Sequence, residues 1–278
     1  MKISILIPSR GNPKGLIAVI GALKELSSRK HEIDFWVTLD SDDTVTKKDE
    51  LKPFFDLFDV HLIISERSQS MGAMMNNMAR QVPKTDCYIP MSDRMMCLTP
   101  GWDDIIGTAL QKRDDCVYWW DNEGGTVFAI LPARWYKAAG QIFTEYFPFW
   151  FDDTWLAELN ILVHGLPHIP LPVKCYMQRS TRTKRCRELS FWGEFFIQSR
   201  PERMEHAMRI AAALDVPMKY DLAVSNLFER FDEHWRSNCK QMEASFFDPS
   251  EPDASYLKAK EKVTKRLDHL KKFMGRDL

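Results

Sequence analysis

Apolar residues along the chain follow two rhythms. Short continuous runs recur as ISILIP (3–8), DFWVTLD (34–40), VHLIIS (60–65) and CYIPM (87–91), each of strand length and bounded by turn residues. Between the first two, Leu16, Ile17, Ile20, Leu23 and Leu26 recur at helical spacing, after Asn12 as an N-cap and Pro13 in the first turn. The stretch MGAMMNNMARQV reads as a second helix. TPGWDDIIGTAL reads as a third, with Thr99 as its cap, Pro100 in its first turn, and Asp103 and Asp104 at its positive end.

Further strands are predicted at CVYWW (116–120), TVFAILP (126–132) and HIPLPVKCYM (168–177). Between the last two, FDDTWLAELNILVHG predicts a helix begun by Asp152 and Asp153 and closed at Gly165. Alternating strands and helices imply an α/β fold with a mainly parallel sheet flanked by helices. Beyond about Arg187 only helical segments follow, with a loop over 245–255 before a last charged helix. The expected organisation is an α/β domain over 1–186 and a helical extension over 187–278.

Composition narrows the partners. In 278 residues, 45% apolar and 28% charged content with a formal net charge of -1 describes a globular chain with no global attraction to polyanions. No uncharged apolar window approaches the roughly 18 residues of a membrane span, and after Met1-Lys2 the chain enters a short strand-like run in place of a signal h-region. The expectation is a soluble, cytoplasmic protein. Its six cysteines show no zinc-finger spacing and read as reduced thiols. The Met-rich stretches 71–78 and 91–96 read as adaptable packing, and His164 and His168 as structural.

In a parallel sheet, ligands gather beyond the carboxyl ends of the strands. The polar residues that close successive strands are Ser9 and Arg10, Asp40 and Asp42, then Ser92 and Asp93. Their convergence on one site is the inference.

These residues carry a resemblance. ISILIPSRGNP, VTLDSDD, SMGAMMNNMA, YIPMSDR with TPGWDD, and FPFWFDDTWLAELN stand in the order found in GT-A fold glycosyltransferases, nearest the family 2 type, and cover roughly 1–177. The resemblance implies a Rossmann-like nucleotide-binding sandwich and transfer of a hexose or pentose from a nucleoside-diphosphate-sugar donor to an acceptor hydroxyl.

By the same resemblance, Pro8, Ser9 and Arg10 would line the nucleotide pocket, with Asp40 and Asp42 at the base or ribose. Gly72 and Asn77 would mark the helix beside the diphosphate, and Ser92 would sit at the donor. Asp93 would match the carboxylate that ligates Mn²⁺ or Mg²⁺, although Met91-Ser92-Asp93 offers one acid where the family's motif has two. Asp152 or Asp153 would be the general base of an inverting transfer. The aromatic residues Phe147, Phe149, Trp150, Phe151 and Trp155 would offer stacking faces.

Arg179 and Arg182, in the basic run 179–187, would clamp donor phosphates. The same run would suit a nucleic-acid acceptor, such as a hydroxylated base in DNA, as an alternative to a glycan or small molecule. A nucleotidyltransferase and a non-catalytic nucleotide-binding scaffold are the rival readings. SRGNPKG matches a phosphate-binding loop poorly, which weighs against the former.

Overall fold

The structure, a computed structural model, describes residues 1–68, 70–122, 125–148, 150–166, 169–178, 187–245, 252 and 254–274. They divide into two compact units: 1–68, 73–142 and 168–179 in the first, and 69–72, 143–167 and 180–278 in the second.

The first unit opens with β1 (Lys2–Ser9), α1 (Pro13–Glu25), β2 (Glu32–Asp40), α2 (Lys48–Phe58) and β3 (Val60–Ser65). Then follow α3 (Met71–Gln81), whose first two residues belong to the other unit, β4 (Cys87–Pro90), β5 (Met95–Cys97) and α4 (Trp102–Lys112). The strands β6 (Tyr118–Asn122) and β7 (Gly125–Pro132), helix α5 (Ala133–Ala139) and, later in the chain, β8 (Pro170–Met177) complete it.

The eight strands form one sheet in the order β3-β2-β1-β4-β7-β6-β8-β5. Pairings β1/β2, β2/β3, β1/β4 and β6/β8 are parallel, and β4/β7, β6/β7 and β5/β8 are antiparallel. The sheet is therefore mixed, with its parallel half carrying the ends at Ser9, Asp40, Ser65 and Pro90. The chain runs outward from β1 through β2 to β3 and then returns to the other side of β1 as β4. The direction of winding reverses between β1 and β4, which is where an open α/β sheet leaves a crevice.

Helix α1 forms where the pattern expects it, although Ile17 of the expected stripe is exposed and Val19 is buried instead. Asn12 accepts from the Gly15 N–H, Pro13 occupies the first turn, and Leu16, Val19, Ile20 and Leu23 are buried against Ile3, Ile5, Ile7, Phe35 and Val37. At about 1.5–3 kcal/mol for each large apolar side chain buried, this stripe outweighs any propensity term. Helix α4 departs from the expected cap. It starts at Trp102 behind a left-handed Gly101, and Thr99 instead accepts a bond from the Lys174 N–H of β8 at 2.7 Å. The reason lies in α4's anchors: Trp102 donates to the Leu23 carbonyl at 2.9 Å, and Asp103 accepts from the Ser28 N–H and hydroxyl at 2.6 and 2.7 Å.

The second unit holds α6 (Asp152–His164), α7 (Leu189–Gln198), α8 (Arg200–Leu214), α9 (Leu222–Ser245) and α10 (Ala254–Met274). Gly165 closes α6 in the left-handed conformation that the sequence anticipates. Its core is aromatic: Phe147, Phe151, Trp155, Trp192, Phe195 and Phe196 are all buried. Phe147 lies with ring centroids 5.6 Å from Phe151 and 5.5 Å from Phe195. This corrects the expectation of stacking faces at Phe147, Phe151 and Trp155, because these rings are spent on one another; Phe149 lies outside the described residues.

One ion pair is set into this core. Arg203 is 0% exposed, donates from Nε to Glu158 Oε2 at 2.6 Å, bonds Ser199 Oγ at 3.0 Å, and lies over the Phe196 ring at 4.0 Å. A buried charge that loses its partner is costly. Arg203→Met alone is expected to cost about 3–5 kcal/mol in urea unfolding, and the double variant Arg203→Met/Glu158→Leu less, because it leaves no uncompensated charge.

Candidate functional site

The reversal between β1 and β4 is bridged by side chains. Ser9, the last residue of β1, donates its hydroxyl to Asp93 Oδ2 at 2.8 Å, and Asn12 donates from Nδ2 to the Asp93 backbone oxygen at 3.1 Å. Asp93 sits in the turn between β4 and β5 and is 8% exposed. Arg94 Nε lies 3.9 Å from its second oxygen, Oδ1. Burial pushes the Asp93 carboxyl above the usual carboxylate range, although bonds from Ser9, Asn12 and Ser92 and the Arg94 charge pull the other way. The site therefore presents a desolvated carboxylate that added positive charge would stabilise.

The acidic turn after β2 faces the same loop from the other side. Arg10 Nη1 lies 2.8 Å from Asp40 Oδ2 and also contacts Asp42 Oδ1, while Nη2 reaches Asp42 Oδ2 at 3.1 Å. The hydrogen-bonded guanidinium holds the Asp42 carboxyl below its ordinary range. Asp43 Oδ2 accepts from the Gly11 N–H at 2.8 Å, and Oδ1 from the N–H groups of Val45 and Thr46 at 2.9 and 3.1 Å. Burial opposes ionisation of Asp43, but bonds from Thr46, Gly11 and Val45 outweigh it and hold the carboxyl down at about 2.

The sequence marks the acidic cluster 40–43, Asp43 included, but not two further residues that organise this arrangement, Thr46 and Gly15. An ideal Cβ at Gly15 would lie 2.6 Å from the Asp93 oxygen, so α1 approaches the Asp93 turn at backbone distance. Spacing gives no signal for Gly15, since its neighbour is 78 positions away in the chain. Asp43 carried a weak one, as an acid followed three residues on by Thr46 in a turn.

The remaining predicted residues are placed as follows. Pro8 lies in β1 opposite Thr38 of β2, Ser92 directly precedes Asp93, and Asn77 lies on α3. Gly72, in the second unit, has a packing reason of its own, since a Cβ there would meet the Thr144 oxygen at 1.9 Å. Arg179 and Arg182 lie outside the described residues. The buried Met75, Met78, Met91 and Met95 are packing, as their pattern suggests.

Within the second unit, Asp152 and Asp153 open α6. Asp153 accepts from the Thr154 N–H at 2.7 Å and hydroxyl at 3.3 Å, and Asp152 Oδ1 accepts from the Asp153 N–H at 3.0 Å. Burial first, and then the Asp153 charge, push the Asp152 carboxyl up to about 7. Trp150 and Phe151, immediately before, both adopt left-handed backbone with φ of 62 and 63. Bulky residues there carry strain of about 1–3 kcal/mol each, which marks the entry to α6 as an imposed conformation.

Among the described residues no three His, Cys, Asp or Glu side chains gather as a metal group, and no helix is long and apolar enough to cross a membrane. The donor at the β1/β4 reversal is the Asp93 carboxylate, buried, with Arg94 as its nearest cation at 3.9 Å. As an oxygen donor, Asp93 is the side chain here that would hold a hard cation, which takes carboxylate oxygens among its ligands.

No protein-family model and no curated protein matches this sequence. Solved structures do. The mannosyltransferase PcManGT from Pyrobaculum calidifontis, in complex with GDP-Man and Mn²⁺, aligns with a TM-score of 0.54 at 11% identity, over 86% of this chain and 84% of that one. GalNAc-T7 with UDP, GalNAc and Mn²⁺ aligns at 0.55 and 11% identity, over 91% of this chain and 59% of that one. TarS of S. aureus aligns at 0.51 and 11% identity over 77% of this chain, which spans only 43% of the TarS chain. The likeness is one of fold: this chain has the α/β fold of the GT-A glycosyltransferases.

The Asp43 geometry sets an expectation for acid stability. A carboxyl depressed to about 2 in the folded state contributes stability above the unfolded value, about 3.9, and loses it as pH falls through 2. Asp43→Ala is expected to lower the melting temperature at pH 7 and to flatten the decline between about pH 4 and 2, as read by thermal melts across that range.

Proposed function

We propose that the chain is a metal-assisted, inverting glycosyltransferase that moves a hexosyl or pentosyl group from a nucleoside-diphosphate-sugar to an acceptor hydroxyl. The observation that carries this reading is the buried Asp93 carboxylate joined to Ser9 at the β1/β4 reversal of a GT-A fold. The UDP-, GDP-Man- and Mn²⁺-containing neighbours support a nucleotide-sugar donor and a divalent cation.

In this reading Asp93 would hold Mn²⁺ or Mg²⁺, which when bound neutralises charge on the diphosphate leaving group. Ser9 orients the Asp93 carboxylate. Asp40, Asp42 and Arg10 form the wall on which the nucleoside is held, with Pro8 and Ser92 beside them. Gly72, Asn77, Arg179 and Arg182 keep the donor-side roles that the family resemblance implies.

The proton acceptor we assign to Asp152. Burial and the Asp153 charge push its carboxyl up to about 7, where a base combines adequate ionisation with useful proton affinity. Asp152 would take the hydroxyl proton as the acceptor oxygen attacks the anomeric carbon from the side opposite the departing diphosphate.

Thermal melts with UDP, GDP and their sugar conjugates, with and without Mn²⁺, test the donor reading. With metal, one nucleotide class is expected to stabilise the protein by about 2.7 kcal/mol at a hundredfold excess over its Kd, and by less at the same concentration without metal, and Asp93→Ala should remove the metal's share. Absence of any nucleotide response would favour a scaffold that kept only the fold.

Transfer itself is expected to rise as pH passes about 7, because Asp152 must lose its proton to act. Asp152→Asn should leave donor binding intact, slow transfer about 10²–10⁴-fold and abolish that pH limb. Asp152→Asn with wild-type turnover would remove this base assignment.

A further inference from the structure

The amide of Asn12 does two things at once. Its Oδ1 accepts from the Gly15 N–H at 3.3 Å and caps α1, while its Nδ2 donates to the Asp93 backbone oxygen at 3.1 Å. Serine, threonine and aspartate serve as N-caps through an oxygen acceptor, and an ionised aspartate offers no donor at all. An amide retains a pair of N–H donors after capping. That remaining donor is directed to a residue 81 positions away, in the turn that carries the candidate cation ligand.

The neighbouring geometry shows that the contact is built rather than incidental. Ser9 holds the Asp93 side chain at Oδ2, and Asn12 holds the main chain of the same residue, so Asp93 is fixed at two points. A Cβ on Gly15 would lie 2.1 Å from Asn12 Nδ2 and 2.6 Å from the Asp93 oxygen, so a side chain there would displace one or both. From the opposite side, Asp43 and Thr46 both accept from the Gly11 N–H, at 2.8 and 3.1 Å, which leaves the 9–12 loop little freedom to follow a displaced Asp93.

We propose that Asn12 is a positioning residue that sets the direction of the Asp93 carboxylate toward a cation, with Gly15 as the gap that lets it do so. The inference rests on the glycosyltransferase reading above and adds to it a named determinant of metal affinity. Groups that orient a metal ligand without touching the metal typically change its affinity by about 10–100-fold when lost. Nothing in the capping role alone would produce that effect.

Variants separate the two roles. Asn12→Ser and Asn12→Asp keep an oxygen to cap α1 and remove the amide donor, whereas Asn12→Ala removes both. The measurements are the melting temperature without ligand and the Mn²⁺ concentration giving half-maximal stabilisation by UDP or GDP, whichever the wild type binds. The Ser and Asp variants are expected to melt close to wild type yet to need about tenfold or more Mn²⁺. Agreement between a neutral and a charged replacement shows that added charge is not the cause.

Asn12→Ala should share the metal defect and also melt about 2–4 °C lower, as loss of a cap predicts. Gly15→Ala should reproduce the metal defect from the other side of the contact. If Asn12→Ser and Asn12→Asp keep the wild-type Mn²⁺ requirement while Asn12→Ala only melts earlier, Asn12 is a cap and the positioning role is overturned. A wild-type protein with no metal-dependent nucleotide response overturns the glycosyltransferase reading and this proposal together.

Discussion

Asp93 is bound to β1 through Ser9 and to the start of α1 through Asn12, and the arrangement of the first unit turns on that join. It lies where the sheet changes its direction of winding, so two strands that are neighbours in space but distant in the chain must each leave a polar end there. A buried carboxylate survives in such a place only if donors surround it. The hydroxyl of Ser9, the Ser92 side chain and the Arg94 charge meet part of that need. Burial still outweighs these partners and holds the Asp93 carboxyl above the ordinary carboxylate range.

The acids after β2 have a different economy. Asp40 and Asp42 meet Arg10, and Asp43 closes on the Gly11 N–H. One guanidinium and the N–H groups of Gly11, Val45 and Thr46 satisfy their oxygens, which lets three carboxylates crowd one turn and tie it to the loop between β1 and α1. That tie matters, since a positioned ligand is worth little if its support can drift.

The second unit is stabilised by other means. Rings from Phe147, Phe151, Trp155, Trp192, Phe195 and Phe196 fill its interior, and Arg203 with Glu158 is set among them. Asp152 stands at the head of α6 after two aromatic residues in left-handed backbone. The aromatic segment that reads in sequence as a set of stacking faces is largely core, because periodicity reports that a residue is apolar but not which surface its neighbours leave open.

Periodicity and capping chemistry were enough for most elements: β1, α1, β2, β3, α6 with its Gly165 stop, and the all-helical stretch after Arg187 follow from local interactions that the chain carries with it. The strand-end polar residues were legible for the same reason, being interruptions of apolar runs. Short β5, the cap of α4 and the fates of individual acids were not. The Thr99 hydroxyl oxygen accepts from the Lys174 N–H of β8, Asp43 turns to Gly11, and Gly15 is required by a carbonyl from residue 93. Each depends on a partner brought near only by the winding of the sheet, and a one-dimensional pattern holds no record of which distant atoms will arrive within hydrogen-bonding distance.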